Sequence, residues 1–547
     1  MLYTTYQVMD DIRVTLAPEV DRLYWRTRGQ SIRKTGTTPS FGQAFSRATR
    51  RMSREPPVAG GAGTQRLEKY ANHLQQWLGG QAFTREELDQ ALAVAGVAGA
   101  RPDEGLQWLV LTGRAQLLPG VDMTGPAIRW RCNRCGAGGK WIRRGACAKC
   151  EKACAWCDHC IRLGKSRACT PIVLIEPASD PVAVDKVTSI LPLLSDPQWD
   201  AASRCLDWLE EEGEELLVQA VTGAGKTEMM FPMVRRVLEE GERVLWVAPR
   251  QEAVREVADR LRRSFPEIRV AELHGDSGDR WVNQSIAAAT VQQAVRFYHR
   301  FRLAVVDEVE AYPLREEQIW QFGVRRAIRN EGKRVYLTAT PPKSWLNRAR
   351  RGKRKLVTVP ARYHGFPLPV PRLHRVWRLQ HKTDRGRPIP VLERFLKEAI
   401  EQKGQVLLFV PRVTDTWRLL RWFDSRMPGL RAKCGVVSSR GGERAEMVRR
   451  FMTGEVKVLI TTTILERGVT VPRCHVAVVG ADHPVFDGAA LVQIAGRVGR
   501  SAAYQEGEVL FISSLRTEAQ LRAVRDIREC NRLARRKGYL SARRYAL

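Results

Sequence analysis

LLVQAVTGAGKT, residues 216 to 227, decides how the chain is read. A short apolar run of the kind that forms a buried strand passes into Ala220, four further residues, and then Gly225, Lys226 and Thr227. A helical pattern, Glu228 to Glu239, follows at once. Main-chain N–H groups close around phosphate oxygens most easily where no Cβ intervenes, which is the use of Gly223 and Gly225 in the loop Thr222, Gly223, Ala224, Gly225. Lys226 has the reach for β- and γ-phosphates, and the Thr227 hydroxyl suits a Mg²⁺ position. The same letters also describe a Gly-rich turn; the strand before, the helix behind and an acidic pair at Asp307 and Glu308 favour the nucleotide.

Ninety Lys and Arg against 59 Asp and Glu give a net charge of +31, more than solubility requires. A polyanion, nucleic acid first, is the partner this implies, with a solvated basic surface as the alternative. The chain contains no apolar run of the roughly 18 residues that a membrane span needs. Its first twenty residues carry Asp10, Asp11 and Glu19 where a secretion signal would be basic and then apolar, so a cytoplasmic protein is expected. Of twelve cysteines, eight lie between Cys132 and Cys169, mostly in C-x-x-C pairs. In a reducing compartment such clusters mean metal more often than disulfides.

Taken in order, residues 1 to 125 read as an accessory region. Arg26 to Gly63 is basic and small, with PPVAGGAG at 56 to 63, and is expected to be a flexible linker. Thr84-x-x-Glu87 is a capping box opening one helix, and GLQWLVLTG reads as a second that closes at Gly113. A winged-helix DNA reader is the less favoured reading of this module, because no basic recognition face is visible.

Residues 126 to 172 form a cysteine module. Its eight thiolates can fill two tetrahedral Zn²⁺ sites; Cys132, Cys135, Cys157 and Cys160 are assigned to the first, Cys147, Cys150, Cys154 and Cys169 to the second. Spacing does not fix the pairing, His159 can replace one thiolate, and an iron–sulfur cluster is the alternative. Arg131, Arg134, Lys140, Arg143, Arg144 and Lys149, interleaved with Trp130, Trp141 and Trp156, suit gripping a phosphate backbone and stacking on bases.

Behind a Pro-spaced stretch from Pro171 to Pro197, strand and helix patterns alternate to the end, the signature of an α/β protein with parallel sheets. Two halves are expected, 185–360 and 361–547. In the first, LAVVDEVE ends a strand in Asp307, placed to hold Mg²⁺ through water, and Glu308, placed to polarise the attacking water. In the second, QIAGRVGR sets Arg497 and Arg500 three apart at the expected start of a helical segment, suited to act as arginine fingers. A nucleic acid strand is expected to cross the loops around Arg250, Thr290 and Thr463, with salt-sensitive, sequence-tolerant binding.

Together Gln198, the GAGKT loop, APR, DEVE, TAT, TTTILERGVT and QIAGRVGR resemble the ordered motifs of superfamily 2 helicases, whose motors are two tandem RecA-like parallel-sheet domains. GAGKTEMMFP, DEVEAYP, TATPP, PARYHGFPLPVP at 360 to 371, TTTILERGVTVP and ALVQIAGRVGR, behind a cysteine module, resemble the ComFA family, the late-competence ATPases of Gram-positive transformation, over about residues 126 to 530. The resemblance implies an ATP- and Mg²⁺-dependent, single-stranded-DNA-stimulated motor for uptake of transforming DNA. It would act at the inner face of the membrane near the ComEC channel, with ComFC and DprA as partners and a homo-oligomer allowed. It also implies that Gln198 reads adenine, that Gly468 lies at the nucleotide, that Thr338 and Thr340 couple hydrolysis to DNA, that Arg497 and Arg500 sense γ-phosphate, and that Cys132, Cys135, Cys157 and Cys160 form the family's finger. Glu310 stands where the family usually has Asp, and four cysteines are additional. The competing readings are a replication-restart helicase resembling PriA, an RNA helicase, and a non-hydrolysing DNA-binding scaffold.

Overall fold

The computed structural model describes residues 2–48, 62–96, 101–178, 187–275, 277–278, 284–311, 317–437, 444–462, 471–501 and 503–541. The chain divides into two compact units, one of residues 1–190, 213–215 and 234–335, the other of 191–212, 216–233 and 336–547.

The first unit opens with an antiparallel sheet whose strands run Asp11–Thr15, Tyr3–Val8, Arg33–Thr38. The expected linker is therefore ordered through Arg47, because Arg33–Thr38 pairs with Tyr3–Val8 and the helix Phe41–Arg47 buries Phe41 and Ala44. The strand RKTGTT faces mostly water, so backbone pairing rather than apolar content orders it, and composition carries no trace of that. Residues 56 to 61 of the Pro/Gly stretch lie outside the described residues.

Next come the helix Ala62–Leu78, the strand Gln81–Thr84, the helices Arg85–Val94 and Pro102–Leu111, and the strand Ala115–Pro119. Pro171–Ile175 returns between Gln81–Thr84 and Ala115–Pro119, antiparallel to both. The stretch read as a Pro-spaced connector thus begins with a fully buried strand. This is the element order of a winged helix with the cysteine module spliced into its hairpin. The helix that such a fold would offer to DNA, Pro102–Leu111, buries Leu106, Gln107, Trp108 and Leu109 and opens on Asp103 and Glu104. It is core, as the missing basic face predicts.

The capping box forms: the Glu87 N–H donates to Thr84 Oγ1 at 3.3 Å, and the Thr84 N–H to Glu87 Oε2 at 2.9 Å. Glu87 Oε1 pairs with Arg134 of the cysteine module and Arg296 of the motor segment, and all three side chains are buried. One carboxylate thereby ties three parts of the chain together.

Parallel strands Val270–Leu273, Ile286–Thr290, Val244–Ala248 and Phe301–Val306 lie side by side in that order, with Ile328–Thr338 next. In the second unit Glu215–Ala220 pairs in parallel with Lys355–Val359. A six-stranded sheet there runs Arg372–Arg375, Val509–Ser513, Cys474–Val479, Gln405–Phe409, Val458–Thr461, Cys434–Val437, all in parallel. Runs such as VLWVA and QVLLF are buried along their whole length, which is what strands covered on both faces require.

Thr84→Ala removes one cap and should cost about 1 kcal/mol. Glu87→Ala strands two buried guanidiniums and should cost roughly 3–5 kcal/mol. Urea melts of both variants, followed by protection of the Gln81–Thr84 amides, check the ranking; equal losses would contradict it.

Candidate functional site

The strand Glu215–Ala220 delivers the chain into the phosphate loop, and the helix Lys226–Glu239 takes it away. Gly223 and Gly225 hold φ of 80° and 72°, a left-handed backbone that only glycine adopts without strain. Lys226 and Thr227 stand in the first turn, where free N–H groups and the helix dipole favour an anion. Gln198 is fixed against this loop. Its Oε1 accepts from the Ser195 N–H at 2.9 Å and its Nε2 donates to the buried Ala224 carbonyl at 2.9 Å. A Cβ on Gly225 would lie 2.2 Å from Gln198 Nε2, so the close approach requires glycine there.

Arg497 and Arg500 follow the end of a helix rather than beginning one. Gly488–Ala495, capped by Asp487 accepting from the Ala490 N–H at 2.9 Å, stops at Gly496, and Gly499 with φ 63° completes the turn. Two glycines within four residues end the helix that the spacing of the arginines suggested. A Cβ on Gly496 would meet Thr222 Oγ1 at 1.9 Å, so this turn rests directly on the phosphate loop.

Arg362, which sequence reasoning missed, lies between them. Its Nε donates to Thr222 O at 3.3 Å, Nη1 to Val498 O and Gly499 O at 2.7 and 2.6 Å, and Nη2 to Gly496 O at 3.2 Å. Burial, with Arg500 nearby, pushes its pKa down to about 9. The stretch PARYHGFPLPVP contains it, but no spacing rule marks an arginine whose partners are main-chain carbonyls. The second unit thus gathers Gln198, Thr222 to Thr227, Arg362 and the turn bearing Arg497 and Arg500.

In the first unit, Phe301–Val306 ends in the acidic pair. The Asp307 N–H donates to Val247 O at 2.8 Å, and Asp307 Oδ1 accepts from the Glu308 N–H at 2.8 Å. Glu308 holds φ 51°, a strained conformation for a non-glycine and a recurrent feature of functional sites. Thr338, in the second unit, is buried, and its Oγ1 accepts from the Thr340 N–H at 3.0 Å. Gly468 and Thr463 lie outside the described residues.

The eight cysteines fall into the two expected sets, Cys132, Cys135, Cys157 and Cys160 in one, Cys147, Cys150, Cys154 and Cys169 in the other, with sulfurs in each within 4.8 Å of one another. Sγ separations are 3.7 Å for Cys132–Cys160, 3.8 Å for Cys135–Cys157 and 3.8 Å for Cys147–Cys169. Four sulfurs at about 2.3 Å from a central Zn²⁺ stand about 3.8 Å apart, so both sets fit a tetrahedral ion, whereas a disulfide needs about 2.05 Å. Hairpin register decides the pairing that spacing left open. Ile142–Cys147 pairs with Lys152–Cys157, which sets Cys157 at the hairpin's base and Cys147 with Cys154 towards its tip. His159 joins neither set and packs edge-on against Trp141, centroids 5.1 Å apart.

The knuckle at Cys132 and Cys135 is seated on the motor segment of its own unit. Arg326 Nη1 donates to Asn133 O at 2.6 Å, and a Cβ on Gly136 would meet Phe322 Cγ at 2.6 Å. Arg134, expected on the basic rim, is instead buried on Glu87 and takes no part in a surface. Arg131, Lys140, Arg143, Arg144 and Lys149 remain exposed.

Three family models match the chain: "Competence protein ComFA N-terminal domain" over residues 66–174, "DEAD/DEAH box helicase" over 196–349 and "Helicase conserved C-terminal domain" over 389–502. A Competence protein ComFA of Bacillus subtilis is 32% identical over 470 residues, which span 86% of this chain and 97% of that one. Its namesake in Streptococcus pneumoniae is 35% identical, covering 58% of this chain and 73% of its own. A Replication restart protein PriA of Rickettsia typhi is 25% identical, over 41% of this chain and 36% of its own. With the two parallel sheets, these matches make the motor two tandem RecA-like domains behind a cysteine module, a superfamily 2 helicase fold. Among the described residues no helix is long and apolar enough to cross a membrane.

Elemental analysis of the purified protein should return two zinc per chain, falling by about one in Cys160→Ser and by about one in Cys169→Ser. Iron with visible charge-transfer absorption, or loss of both ions in each variant, would contradict two independent zinc sites.

Proposed function

The chain belongs to the ComFA family of competence proteins, and on that footing we propose that it is an ATP-dependent translocase on single-stranded DNA that draws transforming DNA into the cytoplasm. The observation that carries this reading is the seating of the Arg497–Arg500 turn on the phosphate loop, Gly496 against Thr222, in a chain of net charge +31 whose winged-helix module hides the helix that could read bases.

ATP with Mg²⁺ supplies the phosphoanhydride whose cleavage drives the cycle. Lys226 and the N–H groups of Gly223 and Gly225 hold the phosphates, Thr227 and Asp307 hold the Mg²⁺ position, and Glu308 orients the attacking water. Gln198, whose Oε1 is taken by Ser195 and one Nε2 hydrogen by the Ala224 carbonyl, offers its second Nε2 hydrogen to adenine. Arg497 and Arg500 stabilise charge on the transferring phosphoryl group, a role worth about 10³ to 10⁵ in rate in other NTPases. Thr338 and Thr340 couple this cycle to the bound DNA strand. The cysteine sites are structural, since four thiolates leave a zinc ion no open position, and the exposed arginines and lysines of their hairpin dock DNA or a partner protein.

In the cell this motor would work at the inner face of the membrane beside ComEC, held there by partners such as ComFC and DprA, as a monomer or a homo-oligomer. The PriA-like reading is weaker because the cysteines here precede the motor and the matched segment covers 36% of that relative against 97% of the competence protein.

Steady-state ATP hydrolysis with no nucleic acid, single-stranded DNA, duplex DNA and RNA tests the proposal. Single-stranded DNA should stimulate the rate several-fold, less so as salt rises, and Lys226→Ala should abolish it. Equal stimulation by RNA would favour an RNA helicase. DNA binding without hydrolysis would favour a scaffold.

A further inference from the structure

We propose that Arg362 is a positioning residue of the motor, holding the main chain that carries Arg497 and Arg500 in register with the phosphate loop. The inference rests on the hydrolytic reading above and adds to it a residue outside the helicase motifs.

A guanidinium offers five N–H donors in one fixed plane. Those of Arg362 are spread over four main-chain carbonyls, one on the phosphate loop at Thr222 and three on the turn at Gly496, Val498 and Gly499. The buried guanidiniums of Arg134 and Arg296 pair with the Glu87 carboxylate, whereas that of Arg362, like that of Arg326 at Asn133 and Val295, is answered by main-chain carbonyls. Its location has a cause. The helix Gly488–Ala495 ends at Gly496, and a helix end leaves carbonyls without intrahelical donors. Turned inward, these carbonyls need a donor that reaches several at once, and they carry the negative end of the helix dipole. Arg362 answers both needs.

Three of the four peptide planes of the turn, 496–497, 498–499 and 499–500, are fixed by this one side chain, and the Cα atoms of Arg497 and Arg500 belong to those planes. The Arg362 stem also lies over the loop, its Cδ 3.6 Å from where a Gly223 Cβ would stand. The distance between the arginines and the phosphate position is therefore set through Arg362, although Arg362 itself hands its donors to protein. A lysine keeps the charge and loses the planar fork, so Arg362→Lys separates positioning from electrostatics.

A misplacement of about 1 Å in a catalytic constellation costs about 100-fold in rate. Arg362→Lys and Arg362→Met should both lower kcat by roughly that factor, with KM for ATP and the affinity for a fluorescent ADP within about threefold of wild type. The loss in the double variant Arg362→Lys, Arg500→Ala should be smaller than the product of the two single losses, because Arg362 acts in part through Arg500. Amide exchange across residues 494 to 501 should rise in Arg362→Lys while the strand Gln405–Phe409 keeps its protection, a readout independent of turnover. An unchanged kcat, additive losses in the double variant, or unaltered exchange in the turn would overturn the inference. Parallel loss of nucleotide affinity and melting temperature would also overturn it, reducing Arg362 to a structural residue. Hydrolysis by the wild type and its loss in Lys226→Ala are scored separately, so a failure at Arg362 leaves the motor reading intact.

Discussion

A loop that turns its N–H groups towards a polyphosphate must turn carbonyls the other way, and those carbonyls need donors from the protein. That constraint organises the second unit. Gly223 and Gly225 adopt the left-handed backbone that frees the N–H groups, and the carbonyls of Ala224 and Thr222 are then taken up by Gln198 and Arg362. Each donor also engages a second element: Gln198 caps its own helix at Ser195, and Arg362 gathers the turn that bears Arg497 and Arg500. Gln198 and the turn bearing Arg497 and Arg500 are thereby linked through the peptide groups of the loop itself.

The first unit solves a different problem. Residues between Pro119 and Pro171 have too few apolar side chains for a core of their own, and two sets of four thiolates stand where a core would be. Metal held there would contribute folding free energy directly, so the proposed ions and the seat would build the module together. The seat is specific: Arg326 on the Asn133 carbonyl, Gly136 against Phe322, and Arg134 on Glu87. Because Glu87 also caps its own helix and pairs with Arg296, the winged-helix module, the cysteine module and the motor segment share one buried carboxylate. Removing such a partner is costly, and a shift on one side is felt on the others.

Features carried by short spacing were legible in the sequence. The phosphate loop, the acidic strand end, the capping box and the C-x-x-C pairs depend on residues a few positions apart, and their chemistry follows from type and spacing, whereas the grouping of the cysteines into two sets follows from the hairpin register. What escaped depends on partners far along the chain. Arg33–Thr38 is ordered by a strand thirty residues earlier in the register Tyr3↔Thr38, through backbone bonds that leave no mark on composition. Pro171–Ile175 finds its partners beyond the whole cysteine module. Arg134 looks like its exposed neighbours in the sequence and differs only in facing Glu87. Arg362 bonds to peptide groups, which every residue possesses, so no pattern of side chains announces it. The spacing of Arg497 and Arg500 suits a helix start, and Gly496 and Gly499 are the residues that mark a helix end instead.

Movement along a single strand is what separates a translocase from a stationary ATPase. Stopped-flow, single-turnover mixing of the protein with end-labelled single-stranded DNA of increasing length, in ATP and excess competitor, measures that movement directly. The delay before arrival at the labelled end should grow in proportion to length and vanish in Lys226→Ala. A delay independent of length, at a rate of hydrolysis that DNA still stimulates, would contradict translocation and leave a DNA-triggered ATPase that does not travel.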